Sequence, residues 1–328
     1  MAVQPSLKSF LGVALETTEG TPVAATDYIP ITAGSFKPVD VVGALYDESI
    51  HGSMASRYAY IQGRKHSTFD FSGPVYADTI GYTVASILGD VTTTGASAPY
   101  THAIALKNSV ATAGDAQPKS LTFTDYYSAN TRQFAGSSVY DLGFTFNADG
   151  LLEYSAKAMG WVSNTTTTPT PTFSTILPTQ VWTGVVTVGG TTVSNALSGS
   201  IQLTRKTDAI FGIGNTQNPY SIFQGGLEVK GKVTFVMEDD TQLTNYLTNT
   251  QPALVFNWST GTGATATQFQ ITTTKGAYTL AAVERSKDYV ELAVDFEGIA
   301  NTTDVGTTSG YSPIKFQLKN AKPSGTYQ

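Results

Sequence analysis

The sequence predicts a mainly β protein, built as two tandem β-sandwich domains that each carry a short flanking helix. Three observations lead there. Apolar residues recur at every second position in short segments. Threonine, serine and glycine dominate, and helix-favouring runs are scarce. The second half repeats the plan of the first. With 328 residues the chain can bury a core in each half without staples.

The strands come first in that plan. Residues 68–75 alternate as Phe69, Phe71, Gly73 and Val75, and residues 120–125 contribute Leu121 and Phe123. Residues 139–148 place Tyr140, Leu142, Phe144 and Phe146 on one face and Asp141, Gly143, Thr145 and Asn147 on the other. Asp149-Gly150 then turns the chain into residues 151–157, a hairpin signal. The second half repeats this with Ile201 and Leu203, with Val233, Phe235 and Met237, and with Phe269 and Ile271. Residues 288–298 point Val290, Leu292, Val294 and Phe296 inward and Glu291, Ala293, Asp295 and Glu297 outward. Such a period argues antiparallel strands with one face buried.

An internal duplication of about 120 residues per copy follows. Residues 140–147 align without gaps on residues 290–297, and Gln62-Gly63 matches Gln224-Gly225. Asp78 precedes a predicted helix over 79–88, with Ile80, Val84, Ile87 and Leu88 on one face. Asp239 and Asp240 precede a second over 241–247, with Leu243 and Leu247 together. Aspartate there accepts from free backbone N–H groups and suits the helix dipole. The expected organisation is an N-terminal arm (1–35), a first domain (36–162), a Thr/Pro-rich linker (163–180) and a second domain (181–328). A hairpin over 181–193, turning at Gly189-Gly190, opens the second domain. Each copy carries a long glycine-rich and aromatic insertion, residues 46–63 and residues 205–226, of a length that marks function.

Composition excludes several function classes. Charged residues are 13% and hydrophobic residues 41%, which argues against disorder. Lys+Arg is 19 and Asp+Glu 25, a net charge of −6, so strong attraction to nucleic acid phosphate is not expected. Cysteine is absent, which removes disulfides, thiolate metal sites and cysteine nucleophiles. No apolar run approaches the 18 or so residues of a membrane span, and residues 1–16 lack the pattern of a signal peptide.

Catalytic motifs are missing too. Gly212-Ile213-Gly214 lacks the third glycine of a dinucleotide loop and a βαβ unit around it. Glu238-Asp239-Asp240 reads as a capped helix start, not a cation site. Neither a G-x-S-x-G elbow nor an H-E-x-x-H helix occurs, and His51, His66 and His102 have no partner pattern. No catalytic, metal or cofactor-binding residue is therefore expected, and no cofactor. Arg64-Lys65 and Arg205-Lys206 flank the long insertions, either as solvated pairs or as cross-subunit partners for Asp47-Glu48 or Asp208.

Gly12-Val13-Ala14-Leu15-Glu16, Gly20-Thr21-Pro22-Val23 and Tyr28-Ile29-Pro30-Ile31 resemble the opening of the tail tube (major tail) proteins of long-tailed bacteriophages. The likeness continues through Gly52-Ser53, Gln62-Gly63, the strand from Phe69, the helix ending at Leu88-Gly89 and the hairpin over 140–159. The resemblance implies a non-enzymatic structural subunit of the virion tail, assembled in the host cytoplasm. Its β-sandwich joins neighbours into a barrel around a channel for transient, non-specific passage of DNA. Single-domain relatives form rings of six, so a duplicated chain implies a trimer over a hexamer. Rings stack into a tube, and tape-measure and tail-terminator proteins are implied partners.

On that reading Asp141, Glu291, Asp295 and Glu297 are candidates for the channel lining, or else ordinary solvent-facing sheet. Candidates for ring stacking are Asp47, Glu48, Ile50, His51, Met54 and Tyr58 in the first insertion and Arg205, Phe211, Asn215 and Tyr220 in the second, with the arm. The alternative is a receptor- or carbohydrate-binding phage fibre or adhesin with two β-sandwich domains. A secreted carbohydrate-active enzyme is disfavoured by the missing export signal and acid/base constellation.

Overall fold

The alternating segments become antiparallel strands. The computed structural model describes residues 3–109, 115–214 and 216–328. The first half runs β1 (Phe10–Leu15), β2 (Asp27–Ile29), β3 (Lys37–Asp47), β4 (Ala59–Pro74), α1 (Ile80–Leu88), β5 (Gly89–Thr94), β6 (Tyr100–Leu106), β7 (Leu121–Tyr126), β8 (Thr131–Asn147), β9 (Glu153–Gly160) and β10 (Asn164–Thr165). The second runs β11 (Gly184–Val188), β12 (Thr191–Val193), β13 (Ala196–Ile210), β14 (Ser221–Val236), α2 (Thr241–Leu247), β15 (Leu254–Thr260), β16 (Thr267–Thr273), β17 (Gly276–Glu284), β18 (Glu291–Gly298) and β19 (Lys315–Asn320).

Two sheets pack face to face. The main path of the larger one reads β3-β4-β9-β8-β13-β14-β18-β17, and β7, β1 and β2 continue from the first part of β8. The smaller sheet reads β12-β11-β15-β16-β19-β6-β5. Neither closes into a barrel within the chain. Aromatic rings fill the space between them: Phe144 lies 5.1 Å from Phe269 and 5.6 Å from Phe316, and Phe146 lies 5.3 Å from both Phe256 and Trp258. Both sheets cross the linker, because β8 pairs β13 and β6 pairs β19.

The linker is extended, as its threonines and prolines imply, and it is docked: β10 pairs β8, and Thr179 N–H donates to Val75 O at 2.8 Å. Much of the expected arm is also built in. β1 pairs β7 and β2, and the Glu16 carboxylate accepts from Ser120 and Thr122 hydroxyls, both at 2.6 Å, and from Gly20 and Gly136 N–H, both at 2.9 Å. Gly20 and Gly136 have φ of +77° and +58°, and a Cβ on either would strike the Trp161 ring.

The helices differ from expectation in their caps. α1 is buried on all sides, and no side chain caps it at Thr79. Asp78 is not the cap: its carboxyl turns to Ser174 of the linker, and burial raises its pKa. Gly89 ends the helix with φ +91°, a left-handed turn suited to glycine. On α2 the N-cap Asp240 makes no side-chain cap bond, and Asp239 just before it accepts from Thr241 N–H at 2.8 Å. Leu243 and Tyr246 pack against the core, whereas Leu247 is 72% exposed.

Asp125 on β7 is buried, and desolvation pushes its pKa up to about 6. The folded protein therefore holds this proton more tightly than the unfolded chain, whose aspartate titrates near about 3.9. Stability is lost as pH rises from about 4 to 6 and stays lost above that. Asp125→Asn is expected to gain on the order of 2 kcal/mol at pH 7.5 and nothing at pH 4, measured by thermal melts at the two values.

On each side of the β8–β13 seam the chain includes a long hairpin (β3–β4, β13–β14), then a short helix, a hairpin of the smaller sheet and a last hairpin of the larger one. The strand orders are β3-β4-β9-β8 and β13-β14-β18-β17. Their irregularities coincide. Gly43 faces the pair Gly63-Arg64 in one long hairpin, and Lys206 faces Gly225-Gly226 in the other. The last hairpins skip Tyr140 and Thr279. Gln62 and Gln224 thus stand at the same place, beside the bulge. The ungapped match of residues 140–147 with 290–297 does not survive: it aligns β8 with β18, whereas β18 holds the place of β9 beside the long hairpin. Alternation is common to all these strands and could not choose between them.

Candidate functional site

Side chains on the main path face either the core or the open side, and the open side forms rows across neighbouring strands. One row reads Lys37, Asp70, Lys157, Asp141, Thr204 and Glu228. The next reads Ser72, Ser155, Gly143, Gln202, Lys230 and Glu297, and the third Glu153, Thr145, Ser200, Lys232 and Asp295. Opposite charges are interleaved. Lys230 Nζ lies 3.5 Å from Glu228 and 3.9 Å from Glu297, and the Gln202 amide donates to Asp141 across the β8–β13 seam. Exposed pairs of this kind add little stability and leave the face without a block of one sign.

Of the residues expected on this face, Asp141, Asp295 and Glu297 stand there half-buried. Glu291 has the same parity but is 5% exposed, and it accepts from Lys287 Nζ at 2.8 Å. The outer edges of the path, β3 and β17, have no strand beyond them among the described residues. Both carry apolar side chains in solvent: Val39 (55% exposed), Val41 (37%) and Leu280 (49%). Unprotected edges of this length invite another strand.

The long insertions are shorter than the sequence suggested. Strand continues to Asp47 and resumes at Ala59, and in the second copy it runs to Ile210 and resumes at Ser221. Connections of residues 48–58 and 211–220 remain. Ile50 and Met54 are fully exposed at the first tip. Asp47 accepts from Ser49 N–H and hydroxyl, which hold its carboxyl below the usual range. His51 lies 3.4 Å from Asp47 and 4.2 Å, ring to ring, from Tyr58, and Glu48 pairs with Arg57 at 3.2 Å. At the second tip Tyr220 is 78% exposed, while Phe211 is half-buried under the Arg64 guanidinium, 5.0 Å away. Asn215 lies outside the described residues. The second connection touches β4: Lys65 N–H donates to Gln217 O, and the Gln217 amide to Gln62 O, both at 2.8 Å.

Arg205 leaves the set of solvent-facing candidates. It is 4% exposed and donates to Gly225 O at 2.8 Å, Ile87 O at 3.0 Å and Gln224 O at 3.2 Å. Arg64, expected as either a solvated or a cross-subunit cation, is exposed and lies over the Phe211 ring of its own chain.

The family model described as phage tail tube protein matches residues 6–300. The chain belongs to the phage tail tube protein family. That places it among the structural proteins of the virion tail, as the sequence resemblance implied. No curated protein matches it.

The other residues singled out for chemistry lie apart in this tail tube protein. Its histidines are dispersed: His51 sits at a hairpin tip, the His66 ring faces Phe211 at 6.3 Å, and His102 is buried between Thr93 and Asn320. Burial lowers the pKa of His102. Trp258 is in the core, Trp161 fills the gap above Gly20 and Gly136, and Trp182 is 76% exposed, so no aromatic platform forms among them. No cluster of metal-ligating side chains occurs among the described residues, and none of their helices is long and apolar enough to cross a membrane. The edge residues Val39, Val41 and Leu280 were absent from the expected set. Their signal was apolar side chains on the solvent parity of a strand, readable only once the terminal strands of the sheet are known.

Proposed function

We propose that this chain is a duplicated tail tube subunit, three of which close into a ring with pseudo-sixfold symmetry. The main paths join into a continuous sheet, their open faces line a channel for DNA, and rings stack into a tube. The observation that carries the reading is an open sheet with two unpaired apolar edges and the same four-strand plan on each side of its middle seam. Closure satisfies both edges at once. The open face suits the passage of DNA. A basic wall would hold phosphate through counterion release, and here each lysine stands beside carboxylates. No catalytic step belongs to this function. Tape-measure and terminator proteins are the partners the tube requires, and assembly takes place in the host cytoplasm.

The projecting hairpins are assigned to ring stacking. Replacing residues 48–58 by a two-residue turn keeps β3 and β4 intact and is expected to give discrete rings that form no tubes in negative-stain micrographs. Tubes of normal length from this variant would remove the hairpin from the stacking surface. Slender particles without a hollow, from the unaltered chain, would favour a fibre and sink the tube reading.

A further inference from the structure

We propose that β17 of one chain pairs with β3 of the next in the register of the internal β8–β13 seam, setting Leu280 against Val41, Ala282 against Val39 and Glu284 against Lys37. The inference rests on the ring reading above and adds the docking partner, a second copy of this chain, and the alignment of its edge.

The register comes from the shared bulges. Asp141 follows the bulged Tyr140 on β8, and Leu280 follows the bulged Thr279 on β17. Thr204 stands two residues before Lys206, which faces the Gly225-Gly226 bulge, and Val41 two residues before Gly43, which faces the Gly63-Arg64 bulge. Within the chain Asp141 pairs with Thr204, Gly143 with Gln202 and Thr145 with Ser200. Carrying the same steps to the free edges gives the three pairs named above.

Side-chain chemistry, which played no part in that transfer, agrees with it. Val41 and Leu280, exposed on opposite edges of one chain, meet and leave water. Ala282 leaves room for Val39. Lys37 and Glu284, both exposed, meet as opposite charges. On the core side the seam sets Asp40 against the small Ala281. Asp40 needs no partner from the neighbour, because Ser67 and Ser163 hydroxyls and Ser163 N–H already donate to it. The internal seam is polar at these positions and the outer one apolar with a terminal ion pair, so each edge prefers its proper mate.

The chain has no cysteine, so introduced thiols report cleanly. In Val41→Cys/Leu280→Cys protein the two thiols of one chain lie at opposite ends of the path, roughly 30 Å apart at strand spacing. Bridging must therefore be between chains. Oxidation or dibromobimane treatment of assembled protein is expected to give a ladder of covalent oligomers on denaturing gels. The out-of-register pair Val41→Cys/Glu284→Cys, displaced by roughly 13 Å along the strand, is expected to stay monomeric. A second test avoids thiols. Lys37→Glu or Glu284→Lys alone is expected to raise the critical concentration for assembly about threefold or more, and the double reversal to restore it. Assembled particles in which the displaced pair bridges, in which neither pair bridges, or in which the double reversal fails to rescue overturn the register and leave the ring standing. Failure of the unaltered chain to form any ring or tube overturns both.

Discussion

Phe144→Ala is expected to cost about 3–5 kcal/mol of unfolding free energy, the range for emptying a buried aromatic site. Phe144 is 0% exposed and stands on β8, where the halves of the chain meet. It pairs with Ile201 across the seam and with Tyr154 on β9, and its ring touches Phe269 and Phe316 of the other sheet. The missing ring leaves a void bordered by both sheets and both halves, and close-packed neighbours fill such a void only in part. Urea unfolding of unassembled protein, followed by circular dichroism, gives the value. A loss below about 1 kcal/mol would mean that the halves do not share one core.

Arg205→Ala is expected to be comparably damaging, about 3–5 kcal/mol, for a different reason. Burial lowers the guanidinium pKa to about 10, so it remains charged at neutral pH. Its three carbonyl partners lie at the bulge of the β13–β14 hairpin and at the C-terminal end of α1, where the helix dipole favours a cation. Alanine strips the guanidinium donors from these carbonyls, with the Gln117 amide still donating to Gln224 O at 3.1 Å. The adjacent Lys206 is exposed, and Lys206→Ala is expected to stay within about 0.5 kcal/mol of the parent. Parallel melts of the two variants separate these expectations, and equal losses would refute the role given to Arg205.

These neighbours show where sequence reading stops. A basic pair at the base of a loop is visible in the sequence, but which of its members turns inward is set beside the Gly225-Gly226 bulge opposite Lys206, and a bulge leaves no period to read. Strands, both helices and the 181–193 hairpin were legible, because alternation, helical spacing and glycine pairs are local signals. The correspondence of β9 with β18 was not. Both start with glutamate and end with glycine, but Ala156 and Ala158 in one stand where Val294 and Phe296 stand in the other, as different neighbours fill the core. The arm looked free because its partner β7 lies about 110 residues away, and pairing at that distance carries no sequence mark. The open edges were hidden for the same cause: whether a strand is last in its sheet is a property of the whole topology.

The position of β19 has a consequence for how the protein is made. This strand, ending at Asn320, lies between β16 and β6, and β6 belongs to the first half. As the polypeptide leaves the ribosome, the N-terminal half keeps one side of β6 unsatisfied until residues 315–320 have been made, and one side of β8 until β13 emerges. Synthesis thus outruns folding, and nascent chains spend most of translation with adhesive backbone on display. Nascent chains close together on one message are therefore expected to be prone to aggregate through these open strand edges.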